Sequence, residues 1–549
     1  MKAIVMVLVV ATVVGSGCAR PEWMTSSSPD PAIYYVSSSG DDANDGSTTK
    51  PWRTINKVNA TTLSPGDTVA LEGGAQFHGH LLISQSGTSN LPIQITSYSS
   101  ASGDRAEISA GAGDGITLRD SEHIRLSNLK ITGAGINANN GHGITLRRTM
   151  SGSQRLNSIY LDHVEISGFR MTGIAIYADA TVSVGYNDVR ITHSDVYGNG
   201  YAGMWMDGCA HRDFPGVYCM KNIYVGYTRI HDNPGIDINE QTGNGIFFKD
   251  VDGGTIEHCL AYNNGALNRN DGGGPVGIWA LFSNNVTIQF NESYGNRTRA
   301  NDGDGFDFDG GMTNSTMQYN YAHDNDGAGF LLWDFHEVMQ SSNNVVRYNI
   351  SENDGRKGFF GGIHLGTSGA GRMTNVHIYG NTVYSGVGTD AAFGIRGHLY
   401  GIGVYNNIFM TASGTRLVHS LGGEDGVLMQ GNAYWDASLS FQFLWKSGSH
   451  RGLSSWRAAS GQERMNGVAV GFQVNPRLLA PGRGGTIGNT DKLHTLTAYQ
   501  LTPTSPLRDQ GLNLPALLGI FPGHRDFFGN AIPQGPGFDI GASEVPSPQ

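Results

Sequence analysis

The sequence predicts an all-β chain wound as a single right-handed parallel β-helix, a solenoid of about ten or more coils with three short strands per coil. Three observations carry this. A four-residue pattern, Gly-apolar-X-apolar, returns roughly every 30 residues through the middle of the chain. Between its copies lie two further runs of β-branched and aromatic residues, closed by Asn and Gly turns. No helical apolar period competes with this period of two.

The chain has 549 residues, a net charge of −11, 39% hydrophobic residues and 79 glycines. That is long enough for a large core and too apolar for a disordered chain. An acidic balance with no basic patch excludes a nucleic-acid partner. Glycine without a three-residue period excludes collagen and implies many tight turns.

Residues 1–20, "MKAIVMVLVVATVVGSGCAR", read as an export signal, because the apolar run is too short to span a bilayer. The ending "GSGC" resembles a bacterial lipoprotein box, which makes Cys18 the expected lipidated residue. The alternative is an ordinary signal peptide with an incidental cysteine. Either way the protein is expected outside the cytoplasm, in the cell envelope or beyond it, touching membrane only through an N-terminal lipid. Residues 21–32 form a polar tether. In an oxidising compartment Cys209 and Cys219 would staple the loop between them, while Cys259 reads as a small core residue. No Cys/His spacing suggests zinc.

Residues 33–427 carry the solenoid and its N-terminal cap. The repeated copies begin at Gly115, Gly143, Gly173, Gly203, Gly245, Gly277, Gly305, Gly329 and Gly362, with a weaker one at Gly394. Asn291, Asn320, Asn349 and Asn381 recur at matching turn positions, which suits left-handed backbone and side-chain ladders. The two apolar residues of each copy point inward, so the intervening residues point outward. In "GFDF" this buries Phe306 and Phe308 and turns Asp307 and Asp309 out.

Stacking the coils aligns the outward residues into columns. The first reads Trp205, Phe247, Trp279, Asp307, Leu331, His364, Arg396; the second reads Asp207, Lys249, Leu281, Asp309, Trp333, Gly366, His398. Earlier coils place Thr117 and Thr145 in the first column, as an ordinary solvated face would. Aromatic plates beside charges point instead to a groove that stacks sugar rings and hydrogen-bonds their hydroxyls. The expected substrate contacts are Trp205, Asp207, Lys249, Trp279, Trp333, His364, Arg396 and His398, and the expected partner is a polysaccharide or oligosaccharide bound by a monomer. Residues 263–279 and 297–304 read as walls of this groove. His336 and Glu337 read as a surface pair, and His123, His163 and His193 as structural. Residues 428–549 break the repeat and read as a C-terminal capping segment with a short helix, or as the completion of the solenoid.

The repeats, with "GDGFDFDGG" and "NYAHDNDGAGFLLW", resemble exported β-helix proteins of the pectate-lyase-like superfamily. The run from Tyr34 to Gly74 resembles the capping segment and first coil of such proteins. The stretch "RDFFGNAIPQGPGFDIGASE" resembles a C-terminal segment of bacterial members. The resemblance implies the fold and a glycan substrate and leaves the reaction open, because the group includes polygalacturonase-type hydrolases, polysaccharide lyases and uronate epimerases.

The preferred reading is glycoside hydrolysis by paired carboxyls without a cofactor. Asp307 and Asp309 have Cα atoms about 6.5 Å apart on one face, and crowding raises one pKa. Resemblance to the polygalacturonase type implies a third aspartate from a neighbouring coil, supplied here by Asp326. Asp304 is a further candidate, whereas Asp302 and Asp324 read as turn residues. That type's "NTD" and "RIK" motifs do not occur in the repeats. The second reading is elimination or epimerisation, with Ca²⁺ cradled by Asp304, Asp307, Asp309 and Asp326 and a base drawn from Lys249, His364, Arg396 or His398. The third is a glycan-binding surface protein without catalysis.

Overall fold

The computed structural model describes residues 30–98, 104–179, 184–208, 216–412 and 414–546. Three sheets of fourteen strands each run the length of the molecule, and neighbouring strands in a sheet come from successive coils. The ladders are parallel throughout, until the strand Gln442–Trp445 is closed by an antiparallel hairpin with Gly448–Arg451. This is the parallel β-helix that the repeats predict.

The in/out alternation follows the expected register. Phe306 and Phe308 are fully buried, and Phe306 stacks on Phe330 of the next coil with centroids 5.1 Å apart. The glycine that opens each copy is required by close packing. A Cβ on Gly277 would lie 2.1 Å from Ser293 Oγ and 2.8 Å from the carbonyl oxygen of Gly305 in the next coil.

The asparagines form the side-chain ladder expected of them but do not take the left-handed backbone. The left-handed residue is the one before each, as at Phe290, Tyr319 and Tyr348. Their rings stack on one another, Phe290 on Tyr319 and Tyr319 on Tyr348, and the two tyrosines are buried in a cluster with Leu514 of the C-terminal segment. The asparagines themselves are buried and form a ladder. Asn320 Oδ1 accepts from the backbone N–H and the amide of Asn291, and Asn320 passes both contacts on to Asn349. The line continues through Asn381, Asn407 and Asn432 and ends on Glu463. A second ladder runs from Asn199 through Asn233, Asn264, Asn296 and Asn325 to Asp354.

The segment beyond residue 427 divides in two. The helix Leu453–Ser460 buries Trp456 against Phe443 at 4.7 Å and covers the C-terminal end of the core. Residues from about Leu478 to Val545 lie along the flank instead. There Tyr499, Leu507 and Ile540 pack on Tyr321, Ile350 and Met410. Glu352 accepts from Tyr499 Oη and the N–H of Gly484, and Glu292 accepts from the N–H groups of Ile487 and Gly488. Cys219 is disulfide-bonded and Cys259 is free and buried; Cys209 and Cys18 lie outside the described residues.

Candidate active site

The columns form on the sheet that holds the strands Ala202–Asp207, Asn244–Lys249, Val276–Leu281, Asp304–Phe308, Phe330–Asp334, Gly361–Thr367 and Ala391–Arg396. Trp205 pairs with Phe247, Phe247 with Trp279, Trp279 with Asp307, Asp307 with Leu331 and Leu331 with His364. The next partner is Gly394, so Arg396 stands in the second column opposite Gly366. The motif at Gly394 misleads because Phe393 and Ile395 are the inward pair there, with Ala392 in the glycine position.

A cavity of about 520 Å³ opens on this face. Four aspartates line it: Asp271, which is exposed at the surface, and the three more enclosed acids Asp302, Asp307 and Asp309. Its apolar walls come from Trp279, Leu331, Trp333, Phe359 and Phe360, and Arg396 stands at its far end. The plates are held from behind. Trp279 is buried and stacks on Phe247 at 3.8 Å, so it serves as wall and not as an exposed platform. Trp333 is half-buried, its ring lying where any side chain on Gly366 would have to go, and its Nε1 donates to Ser368 Oγ.

The acids differ in environment. Asp307 on the floor is 3% exposed and its Oδ1 has no hydrogen-bond partner. Burial, and then the charges of Asp309, Asp304 and Asp302, push its pKa well above the carboxylate range. Asp309 is half-buried and accepts from the Gly310 N–H; burial takes it to about 8. Asp302, at a left-handed turn position, is half-buried and accepts from the Gly274 N–H of the preceding coil at 2.5 Å. Burial raises it to about 6. Asp302 was assigned to a turn by the sequence, and the turn is what delivers its carboxyl to the cavity.

Two expected catalytic residues lie elsewhere. Asp304 is completely buried behind the strand, where its Oδ1 accepts from the Ala328 N–H. Asp326 accepts from the Thr298 N–H and pairs with Lys357 at 3.0 Å and Arg297 at 3.5 Å. It thereby ties the loop carrying Asp302 to the loop carrying Phe359 and Phe360. With Asp326 claimed by two cations and Asp304 enclosed, these aspartates do not form the calcium cradle expected of them.

Several expected contacts also fall away. His364 is completely buried against Trp333, Phe359 and Phe360, and burial lowers its pKa to about 3. Lys249 pairs with Asp207 at 2.5 Å, and Asp207 lines a separate depression with His142 and Tyr177. Trp205 packs half-buried on Phe247 outside the acid-lined cavity. His398 is exposed and lines a neighbouring cavity that shares Arg396. None of the bases considered for elimination stands against the three acids except Arg396, at the opposite end.

Comparison with known proteins fits this architecture. The family model described as right-handed beta helix region matches residues 185–383. A lacto-N-biosidase of Bifidobacterium longum is 26% identical over 514 residues, which covers 75% of this chain; the chain spans about a third (31%) of that relative's length. The crystal structure of a lacto-N-biosidase from Eubacterium ramulus aligns over 67% of each chain with 21% identity and a TM-score of 0.51. With the three parallel sheets, these likenesses give the chain its fold: a right-handed parallel β-helix.

Proposed function

We propose that the protein is a glycoside hydrolase that cleaves an oligosaccharide or polysaccharide in the cavity lined by Asp302, Asp307 and Asp309. The observation that carries the reading is the convergence of Asp302, Asp307 and Asp309 on one cavity beside aromatic plates, where burial raises all three carboxyls to different extents. Hydrolysis needs one carboxyl that holds a proton for the leaving oxygen and one that is ionised to activate water or attack the sugar. Asp309, at about 8, holds its proton at neutral pH and is the general acid. Asp302, at about 6, is ionised there and is the base or nucleophile. Asp307 stays protonated on the floor, a neutral group that keeps water and charge out. Trp333 and Leu331 support the apolar faces of the sugar.

The similarity to lacto-N-biosidase supports glycosidic cleavage, and glycans ending in lacto-N-biose belong among the first substrates tried. The disulfide at Cys219 supports an exported protein, with Cys18 as its lipid attachment point. Incubation with a panel of neutral and acidic oligosaccharides, read by product mass, tests the reaction. Products that carry one added water are expected. Unsaturated products would make the protein a lyase, and no cleavage of any member would leave the glycosidase reading without support.

A further inference from the structure

The acid-lined cavity does not end at its aromatic wall. It meets a second cavity of about 540 Å³ at Arg396, among the described residues the only Lys or Arg lining the first. The second cavity continues along the sheet past His398 and Tyr400 to the glycine-rich turn at 421–426. We propose that Arg396 is a subsite for an oxyanion on the bound glycan, a carboxylate or a sulfate several sugar rings from the scissile bond. The proposal rests on the glycosidase reading for the location of that bond.

Arg396 is placed for this and unclaimed. Among the described residues no carboxylate lies within 4.0 Å of it, whereas Lys249, Arg297, Lys357 and Arg416 all have acid partners. Its guanidinium lies over the ring of Phe359 at 5.2 Å, which fixes the stem and leaves the donor fork free. The two acids of the second cavity are already engaged. Glu424 accepts from Ser420 Oγ and the Lys446 N–H, and Asp425 pairs with the Lys446 ammonium. They therefore do not neutralise Arg396.

Geometry sets the distance. Arg396 follows Asp309, Trp333 and Gly366 in the second column, three coils on, and coils lie about 4.8 Å apart. A glycan reaching from the acids to Arg396 crosses roughly 14 Å, over the plates of Trp333 and Phe359. Gly366 leaves that path open by giving its place to the indole. The negative charge of the substrate is thus met at the end of the groove away from Asp302 and Asp309.

The test uses the full chain carrying Asp309→Asn, so that bound glycans are not turned over. It is applied to an array of matched neutral, carboxylated (uronate or sialate) and sulfated oligosaccharides, at low and high salt. The anionic members are expected to bind about ten-fold or more tightly than their neutral counterparts, as a charge-assisted pair implies. Salt should shrink the margin, and adding Arg396→Gln should remove it while neutral binding persists. The carboxylate and sulfate arms show which anion fits. Equal binding of neutral and anionic members, a margin that survives Arg396→Gln, or no binding at all would overturn the subsite. Hydrolysis is read separately on the unmodified chain, so an anion preference without cleavage would sink the glycosidase reading and leave the subsite standing.

Discussion

Phe306, Asp307 and Phe308 occupy three consecutive positions of one strand and are almost equally buried, with different consequences. For the rings, burial is favourable, by roughly 1.5–3 kcal/mol each. For the carboxyl it disfavours charge and pushes the pKa of Asp307 well above the carboxylate range. This contrast was legible from alternation alone, because a period of two assigns inward and outward residues without any tertiary knowledge. The separation of acids into floor and rim was not. Whether an outward aspartate meets water depends on what surrounds it, and the turns before its own strand and before the paired strand, at 301–302 and 271–273, line the same cavity as Asp307. Asp302 holds the turn position expected of it, and only the Gly274 N–H across the coil boundary shows that its carboxyl also lines the cavity.

At the scale of elements, the buried asparagine ladder explains how turns of the solenoid are held at one spacing. Each buried Asn satisfies a backbone N–H in the preceding coil, and its own amide reaches further partners, as Asn320 does to the Ile288 carbonyl. Asn320→Ala should leave the Asn291 N–H buried and unpaired and cost about 1–3 kcal/mol, measurable as a lowered midpoint in denaturant unfolding. Asn320→Asp, which keeps the acceptor, should cost less than Asn320→Ala if the backbone contact dominates. A silent Asn320→Ala would mean the ladder is ornamental. The asparagines and their ladder were visible in the sequence as a periodic signal, but the left-handed turn was placed one residue late. The bulky rings of Phe290, Tyr319 and Tyr348 occupy the left-handed positions, against ordinary preference, because each stacks on its neighbour in the next coil.

For the whole molecule, several buried carboxyls shift in a common direction. Burial raises Asp302 to about 6, Asp354, Glu463 and Glu544 to about 7 and Asp309 to about 8. The folded chain therefore holds protons that the unfolded chain has released, and stability falls as pH rises from the ordinary carboxylate range through these values. His323 adds to the trend. Burial opposes its charge, but hydrogen bonds to Asp324 and Glu292 raise it to about 9, so its contribution is full below about 6.5 and is lost through about 9. Below about pH 6.5 the buried His364, lowered to about 3, works the other way, so the melting temperature should drop between about pH 6.5 and pH 9, and a flat or rising profile there would contradict these burials. The flank segment shares in this, because Glu292 also receives its backbone N–H groups. The lateral course of that segment had no signal in the sequence, since it is set by contacts between residues more than a hundred positions apart.

The central claim is that Asp302 and Asp309 react while Asp307 remains a neutral floor. The most direct test is to compare turnover of a cleaved oligosaccharide by Asp302→Asn, Asp307→Asn and Asp309→Asn, each checked for an intact fold. Asp302→Asn and Asp309→Asn should each lose about 10²–10⁴-fold in kcat/KM, the usual worth of an acid–base group. Asp307→Asn exchanges one uncharged group for another of the same shape and should stay within about ten-fold of the unmodified enzyme. An Asp307→Asn variant as inactive as the other two, or an Asp302→Asn variant with full activity, would contradict the assignment.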